Sequence, residues 1–297
     1  MARRKTARSK SKSPHVLKKI TRFFFVFLLA ILILAFGIIV FFVIVSPKIS
    51  NKVLVLVPDK KSGGEAQIIY AQFYKNTNSI NVIGINKDIK SELIGGYGEY
   101  QLKAVEGILE IDKKGSGYIK SAFGYFLKHG VDEVINYSPT NNFPRNKNDL
   151  LKLFLTNRET ILDGLIVKDI KDEDITFIEI NSKEEWQNFL KKQITWKIDD
   201  QCTVAVVNST DTSGLASELS LVFENSGVEV VRSTNNLWGE SETTLFSDDE
   251  EDCLEVKSRI RSISPIELNE VADKSKTSQY RANIVLFIGD ELAEEFK

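Results

Sequence analysis

The sequence predicts an α/β (α+β) protein in which a single N-terminal transmembrane helix is followed by two exported mixed-sheet domains. Three observations lead there. Phe23 to Val45 contains no charged or strongly polar side chain. Beyond it, short β-branched runs alternate with amphipathic stretches of helical period. Charge falls in blocks, with nine basic and no acidic residues over 1–22, 22 against 20 over 46–197, and eight against 21 over 198–297. The near-neutral total of −2 hides this asymmetry, which argues for separate compartments or partners.

The apolar run of 23 residues holds seven Phe and the sequence Ile31-Leu32-Ile33-Leu34. At ~1.5 Å per helical residue it spans a hydrocarbon layer of ~30 Å with slight excess. Backbone amides in that layer must be satisfied internally, so the run is expected to be a transmembrane helix over 23–45. Arg3, Arg4, Lys5, Arg8, Lys10, Lys12, Lys18, Lys19 and Arg22 precede it, whereas Ser46-Pro47-Lys48 follows. By the positive-inside bias the tail, 1–22, stays cytoplasmic, where its charge suits anionic lipid, and the remainder is extracytoplasmic. A cleaved signal peptide is the rival, but its apolar core runs about 7 to 15 residues and ends at small residues. This run is longer and ends Val43-Ile44-Val45-Ser46-Pro47.

The first exported domain is placed at 48–197. Val53 to Val57 reads as a buried strand, bounded by turn residues at Asp59 to Gly64. Ala66 to Tyr74 and Ser79 to Ile85 are the next strands, joined by the polar turn Lys75-Asn76-Thr77-Asn78. The period then changes. Leu102, Val105, Ile108 and Leu109 share one helical face, and Ile119, Ala122, Phe123, Phe126 and Leu127 share another, with Gly130 as the stop. Asn136 to Lys147 reads as a loop, Asp149 to Leu155 and Glu159 to Val167 as helices, Ile175 to Ile180 as a strand, and Glu184 to Gln193 as a helix.

The second domain is placed at 198–297, where the charge balance shifts. Its pattern is strand Thr203 to Val207, turn Asn208 to Gly214, helix Leu215 to Asn225, stop at Gly227 and strand Val228 to Val231. Strand Glu242 to Phe246, an acidic turn, helix Cys253 to Ile263 and a closing strand Asn283 to Ile288 complete it.

Val204-Ala205-Val206-Val207-Asn208-Ser209-Thr210, Ser213-Gly214-Leu215-Ala216, Gly227-Val228-Glu229-Val230, Thr243-Thr244-Leu245-Phe246 and Ile284 to Gly289 resemble the C-terminal domain of LytR-CpsA-Psr envelope proteins. The first exported domain resembles the core of that family through Val53 to Val57, Gly95-Gly96-Tyr97-Gly98 ahead of a helix, and Tyr118 to Val131. The resemblance implies an α/β fold whose active members transfer a glycopolymer from a lipid pyrophosphate to the wall, holding the pyrophosphate with arginines and aspartate-bound Mg²⁺. Here the domain has two arginines, Arg145 and Arg158, and Asn86-Lys87-Asp88-Ile89 stands where the family has a Pro-Arg-Asp-Thr turn. Lysine is a point charge and does not replace a bidentate guanidinium. The expectation is therefore a non-catalytic envelope protein binding a cell-wall glycopolymer or an envelope protein, anchored in the lipid bilayer, with no catalytic residues, cofactor or metal. The alternative is a divergent phosphotransferase in which Lys87, Asp88 and Arg145 bind the ligand with Mg²⁺.

The remaining residues exclude more than they propose. Two Cys cannot build a Cys-rich zinc site, and outside the tail His129 is the only imidazole, expected to serve the helix end. Cys202 and Cys253 either pair in an oxidising compartment or stay free; a bridge would contribute at most about 3 to 4 kcal/mol by chain entropy. Asp248 to Asp252 reads as a solvated helix start more than a cation site, and Gly95-Gly96-Tyr97-Gly98 as a structural turn more than a phosphate cradle. Asn208 and Gly214 are read as turn formers, Trp186 as core, and Trp238 as the tryptophan best placed for exposure. An acidic C-terminal surface does not suit nucleic acid.

Overall fold

The computed structural model describes residues 51–58, 67–74, 76–137, 143–156, 167, 170–193, 198, 202–236, 242–249 and 253–296, all within one compact unit, Ile49–Lys297. The expected transmembrane span, the basic tail, Arg158, Trp196, Trp238 and nearly all of the expected helix Glu159 to Val167 lie outside them. Among the described residues no helix is long and apolar enough to cross a membrane.

The first sheet is built from β1 (Lys52–Pro58), β2 (Ile68–Tyr74), β3 (Ser79–Ile85), β6 (Glu133–Tyr137) and β7 (Ile175–Ile180), in the order β6-β1-β2-β3-β7. β1 and β6 run parallel, as do β3 and β7, while β2 is antiparallel to both its neighbours. Both faces are covered, which is why β1 reads as an unbroken apolar run. Val53, Val55 and Val57 enter one hydrophobic cluster, and Leu54 and Leu56 enter another on the opposite face. That second face packs under α3 (Lys147–Thr156) through Leu150 and Phe154. The start of α3 follows from Asn146, whose side chain accepts from the amide of Asp149 at 3.0 Å and donates to its carboxylate at 2.8 Å.

Between β3 and β6 lie the hairpin β4 (Lys90–Leu93) and β5 (Gly98–Gln101), a 3₁₀ turn over Leu102–Ala104, and helices α1 (Val105–Ile111) and α2 (Ser116–Leu127). Gly95, Gly96 and Gly98 all have positive φ, so the glycine cluster is the turn of this hairpin. The hairpin and β6 are absent from the expected elements, because runs of four or five residues with polar side chains among them are too short to carry a clear apolar period. α2 ends differently from expectation. Its left-handed cap is Lys128, φ 52°, and Gly130 stands at a tight contact instead. α4 (Lys183–Gln193) starts at a capping arrangement: Ser182 Oγ accepts from the Glu185 amide at 3.1 Å, and the Glu185 carboxylate reaches back to the Asn181 amide at 2.7 Å.

The second sheet has the order β11-β10-β12-β8-β9 and comprises β8 (Thr203–Asn208), β9 (Glu229–Asn235), β10 (Thr244–Ser247), β11 (Asn269–Ala272) and β12 (Ile284–Ile288). β12, β8 and β9 run parallel, and a bulge interrupts β8 against β9 between Val204 and Ala205. Helices α5 (Leu215–Asn225), α6 (Leu254–Ile263), α7 (Lys274–Tyr280) and α8 (Asp290–Glu294) complete it. β11, α7 and α8 have no counterpart among the expected elements. α5 keeps its expected bounds, closed by Ser226 and by Gly227 at φ 85°. Cys202 and Cys253 are joined by a disulfide, Cα to Cα 5.8 Å.

One hydrophobic cluster joins both sheets. It takes Val55 and Ile83 from the first, Val206 and Leu286 from the second, and between them Phe123, Trp186, Phe223 and Ile260 from α2, α4, α5 and α6. The helices thus form a shared layer with a sheet on either side, and α3 and α7 close the outer faces.

Candidate functional site

Parallel strands fix where the candidate ligand residues sit. Lys87 and Asp88 directly follow β3, and Arg145 lies on the connection after β6, so all three are at the carboxyl end of the first sheet's parallel strands. They are not drawn into one group. Asp88 pairs with Lys103 at 2.6 Å, and that hydrogen bond holds its carboxyl below the usual carboxylate range. The Lys87 carbonyl accepts from the Lys103 amide at 3.0 Å. Lys103 follows Leu102, which packs in the cluster between the sheets. Arg145 instead pairs with Glu179 at 3.2 Å. Glu179 is in register with Gly84, on the face where Phe143 crowds that glycine, so this pair sits on the side of the second hydrophobic cluster.

A groove of about 460 Å³ runs beside the edge strand β6, walled by α1 and α2. Glu106, Asp132 and Glu133 contribute carboxylates to it, Lys120 an amine, Asn136 an amide and Ser116 a hydroxyl. Two of the carboxylates are committed to cations, Asp132 to Arg259 at 2.8 Å and Glu133 to Lys52 at 3.2 Å. Glu106 accepts only the Asn136 amide, at 2.8 Å, and Lys120 has no ion pair among the described residues.

The densest polar constellation is the segment that leads from α2 into β6, 127–132. Leu127 O accepts from Trp186 Nε1 at 2.7 Å, and Lys128 O from Asn225 Nδ2 at 2.7 Å. Gly130 N donates to Ser226 Oγ at 2.6 Å, and a β-carbon at Gly130 would lie 2.9 Å from Ile263. Asp132 holds β1 through Val53, accepting its amide at 2.7 Å, and both its oxygens accept from Arg259 of α6 at 2.8 Å. Arg259 also donates to Asn51 O at 3.0 Å. Elements from both sheets therefore converge on six residues.

His129 lies at the centre, 1% exposed, edge-on to Tyr70 with ring centroids 5.6 Å apart. Nδ1 donates to Gly130 O at 2.9 Å, which leaves Nε2 as acceptor facing the Gln72 amide nitrogen at 3.5 Å. Burial pushes its pKa down to about 4 and Arg259 adds to the depression, so the imidazole is neutral near pH 7. Its backbone amide closes the helix end, donating to Gly124 O at 2.9 Å, whereas the ring, expected to serve that end, does not. Its ring is committed to the junction, and no motif in the sequence announced that.

In the second sheet, Asn208 organises the β8–α5 turn. Its Oδ1 accepts from the Thr210 amide and hydroxyl at 3.1 and 2.8 Å, and its Nδ2 donates to Thr212 O at 2.8 Å. Gly214, φ 84°, then opens α5, so both residues do the turn chemistry expected of them. Trp186 is core, stacked on Phe189 at 5.4 Å. Asp248 accepts a hydrogen bond from Thr277, and Asp249 O accepts from Lys257 at 2.7 Å; Glu250 to Asp252 lie outside the described residues.

No curated protein and no solved structure matches this chain. Residues 201–291 match the family model described as LytR cell envelope-related transcriptional attenuator. The second sheet and its helices are thus a LytR C-terminal domain, and the chain is cell-envelope-related.

Proposed function

We propose that this is a single-pass, membrane-anchored, extracytoplasmic cell-envelope protein that binds a wall glycopolymer or an envelope protein partner without catalysing a reaction. The observation that carries this reading is the LytR C-terminal domain at 201–291. The disulfide supports an exported location, because such bonds persist in oxidising compartments. The 23-residue apolar run behind a basic tail supports the anchor and its orientation.

A divergent phosphotransferase, attaching glycopolymers from a polyprenyl-pyrophosphate carrier to the wall, is the second reading. One observation favours it: Lys87, Asp88 and Arg145 all lie at the carboxyl end of parallel strands, where open α/β sheets bind ligands. One observation weighs against it: Asp88 and Arg145 are held in separate ion pairs, with Lys103 and Glu179.

The test uses the full-length chain in detergent. It is cosedimented with isolated wall material, and separately titrated with an isoprenoid pyrophosphate lipid, with and without Mg²⁺, before native mass spectrometry. Sedimentation with wall or capture of an envelope protein, without retained lipid, is the expected result. Mg²⁺-dependent lipid retention that disappears in Lys87→Ala would replace the binding reading with the transfer reading.

A further inference from the structure

We propose that the groove between β6 and helices α1 and α2 binds a short peptide, laid along the strand, with its carboxylate at Lys120 and its amino group at Glu106. The inference is independent of the reading above, because the groove belongs to the first sheet and not to the matched residues 201–291.

Three features argue for this ligand class. The first is size: about 460 Å³ falls within the ~300–1,000 Å³ typical of small-ligand sites. The second is charge of both signs. Lys120 and Glu106 line the same groove, both half-buried, and neither is ion-paired among the described residues. A half-buried ammonium and carboxylate without counterions sit at a disadvantage that an incoming carboxylate and amine would relieve, each through a charge-assisted hydrogen bond. A ligand of one sign would satisfy only one of them and be repelled by the other. The third feature is backbone. Among the described residues β6 is an edge of its sheet, paired with β1 alone, so alternate amides and carbonyls along it face away from the ladder. Groove residues Asp132 to Asn136 extend over about 13 Å at ~3.3 Å per residue, the length of a tri- to tetrapeptide. An extended peptide offers matching backbone groups together with a charge at each end, which is how strand addition combines affinity with end recognition. Ser116 and Asn136 supply neutral hydrogen-bonding groups in the same lining.

The probe is the tripeptide Ala-Ala-Ala with both termini free, added to the full-length chain in detergent and followed by saturation-transfer NMR of the peptide methyl groups. Transfer is expected at millimolar peptide. Acetylating the amine or amidating the carboxylate should each weaken binding by about tenfold, the effect of losing ~1.4 kcal/mol. Lys120→Ala should abolish the penalty for amidation, and Glu106→Gln the penalty for acetylation, because each variant removes the group that reads that end. Both side chains are partly exposed, and circular dichroism checks that the variants stay folded. Absence of transfer at 10-fold higher peptide, at roughly ten millimolar, overturns the proposal, as does equal binding of free and capped peptides. Loss of peptide binding with wall sedimentation intact would sink this inference alone; the reverse pattern would sink only the proposed function.

Discussion

Acid should loosen this protein through His129, and the size of the effect follows from its burial. In the unfolded chain the imidazole titrates near its model value of 6.5, whereas in the fold burial depresses it to about 4. The unfolded state therefore binds the proton first, and stability present above pH 6.5 is lost as pH falls towards the folded value. The full loss is about 3 kcal/mol for the shift at ~1.4 kcal/mol per unit, and about 2 kcal/mol of it falls between pH 7 and pH 5. Urea unfolding of residues 49–297 at pH 7, 6 and 5, with His129→Gln measured in parallel, isolates this contribution from the carboxylates. With a urea slope of ~2 kcal/mol per M, the midpoint of the parent should fall by about 1 M more than that of the variant. Parallel midpoints for the two proteins across that pH range would refute the argument that the ring is buried neutral at the junction.

Other substitutions test the same junction. Arg259→Met strands the Asp132 carboxylate and should cost roughly 3 to 5 kcal/mol by urea unfolding, while Asp132→Asn combined with Arg259→Met should recover a large part of it. Arg259→Lys should remain destabilising, because one ammonium cannot reach Asp132 and Asn51 O as the planar guanidinium does. Gly130→Ala should cost about 1 to 3 kcal/mol through contacts at Ile263 Cγ1 and Cδ1 and at Ser226 Oγ, and Ile263→Val in the same chain, which removes only Cδ1, should relieve a part of it. Reducing Cys202–Cys253 should lower the unfolding free energy by up to roughly 4 kcal/mol, read as a midpoint shift with and without reductant.

Elements whose burial is local were legible in the sequence. β7 and α5 kept their expected bounds because an apolar period and a stop, such as Gly227, are both written within the segment. β4, β6 and β11 are not legible for the opposite reason: Lys90-Ser91-Glu92-Leu93, in a hairpin with β5, and Asn269-Glu270-Val271-Ala272, beside β10, become strands through their pairing, and little in their own composition asks for it. Among candidate site residues, the sequence brought out Lys87, Asp88 and Arg145 as a set, yet their ion pairs with Lys103 and Glu179 are long-range and split the set. The 127–132 hub was invisible because its partners, Trp186, Asn225, Ser226 and Arg259, are scattered over more than seventy positions and look like ordinary helix residues. The nearest sequence signal was Asp132 two places after Gly130, a carboxylate entering a strand beside a position that tolerates no side chain.

The shared helical layer has a genetic consequence. α5 and α6 turn Phe223, Ile260 and Ile263 towards α2 and α4, so a chain terminated after residue 197 leaves the first sheet with an open apolar flank. A premature stop there should behave as a null allele rather than as a half-active one, with the fragment cleared by proteolysis before either half can act. Complementation by two separately expressed halves should succeed only when the pieces are produced together and meet across that layer. Suppressors of such alleles are expected to map to helix faces deep within the protein, far from any exposed groove.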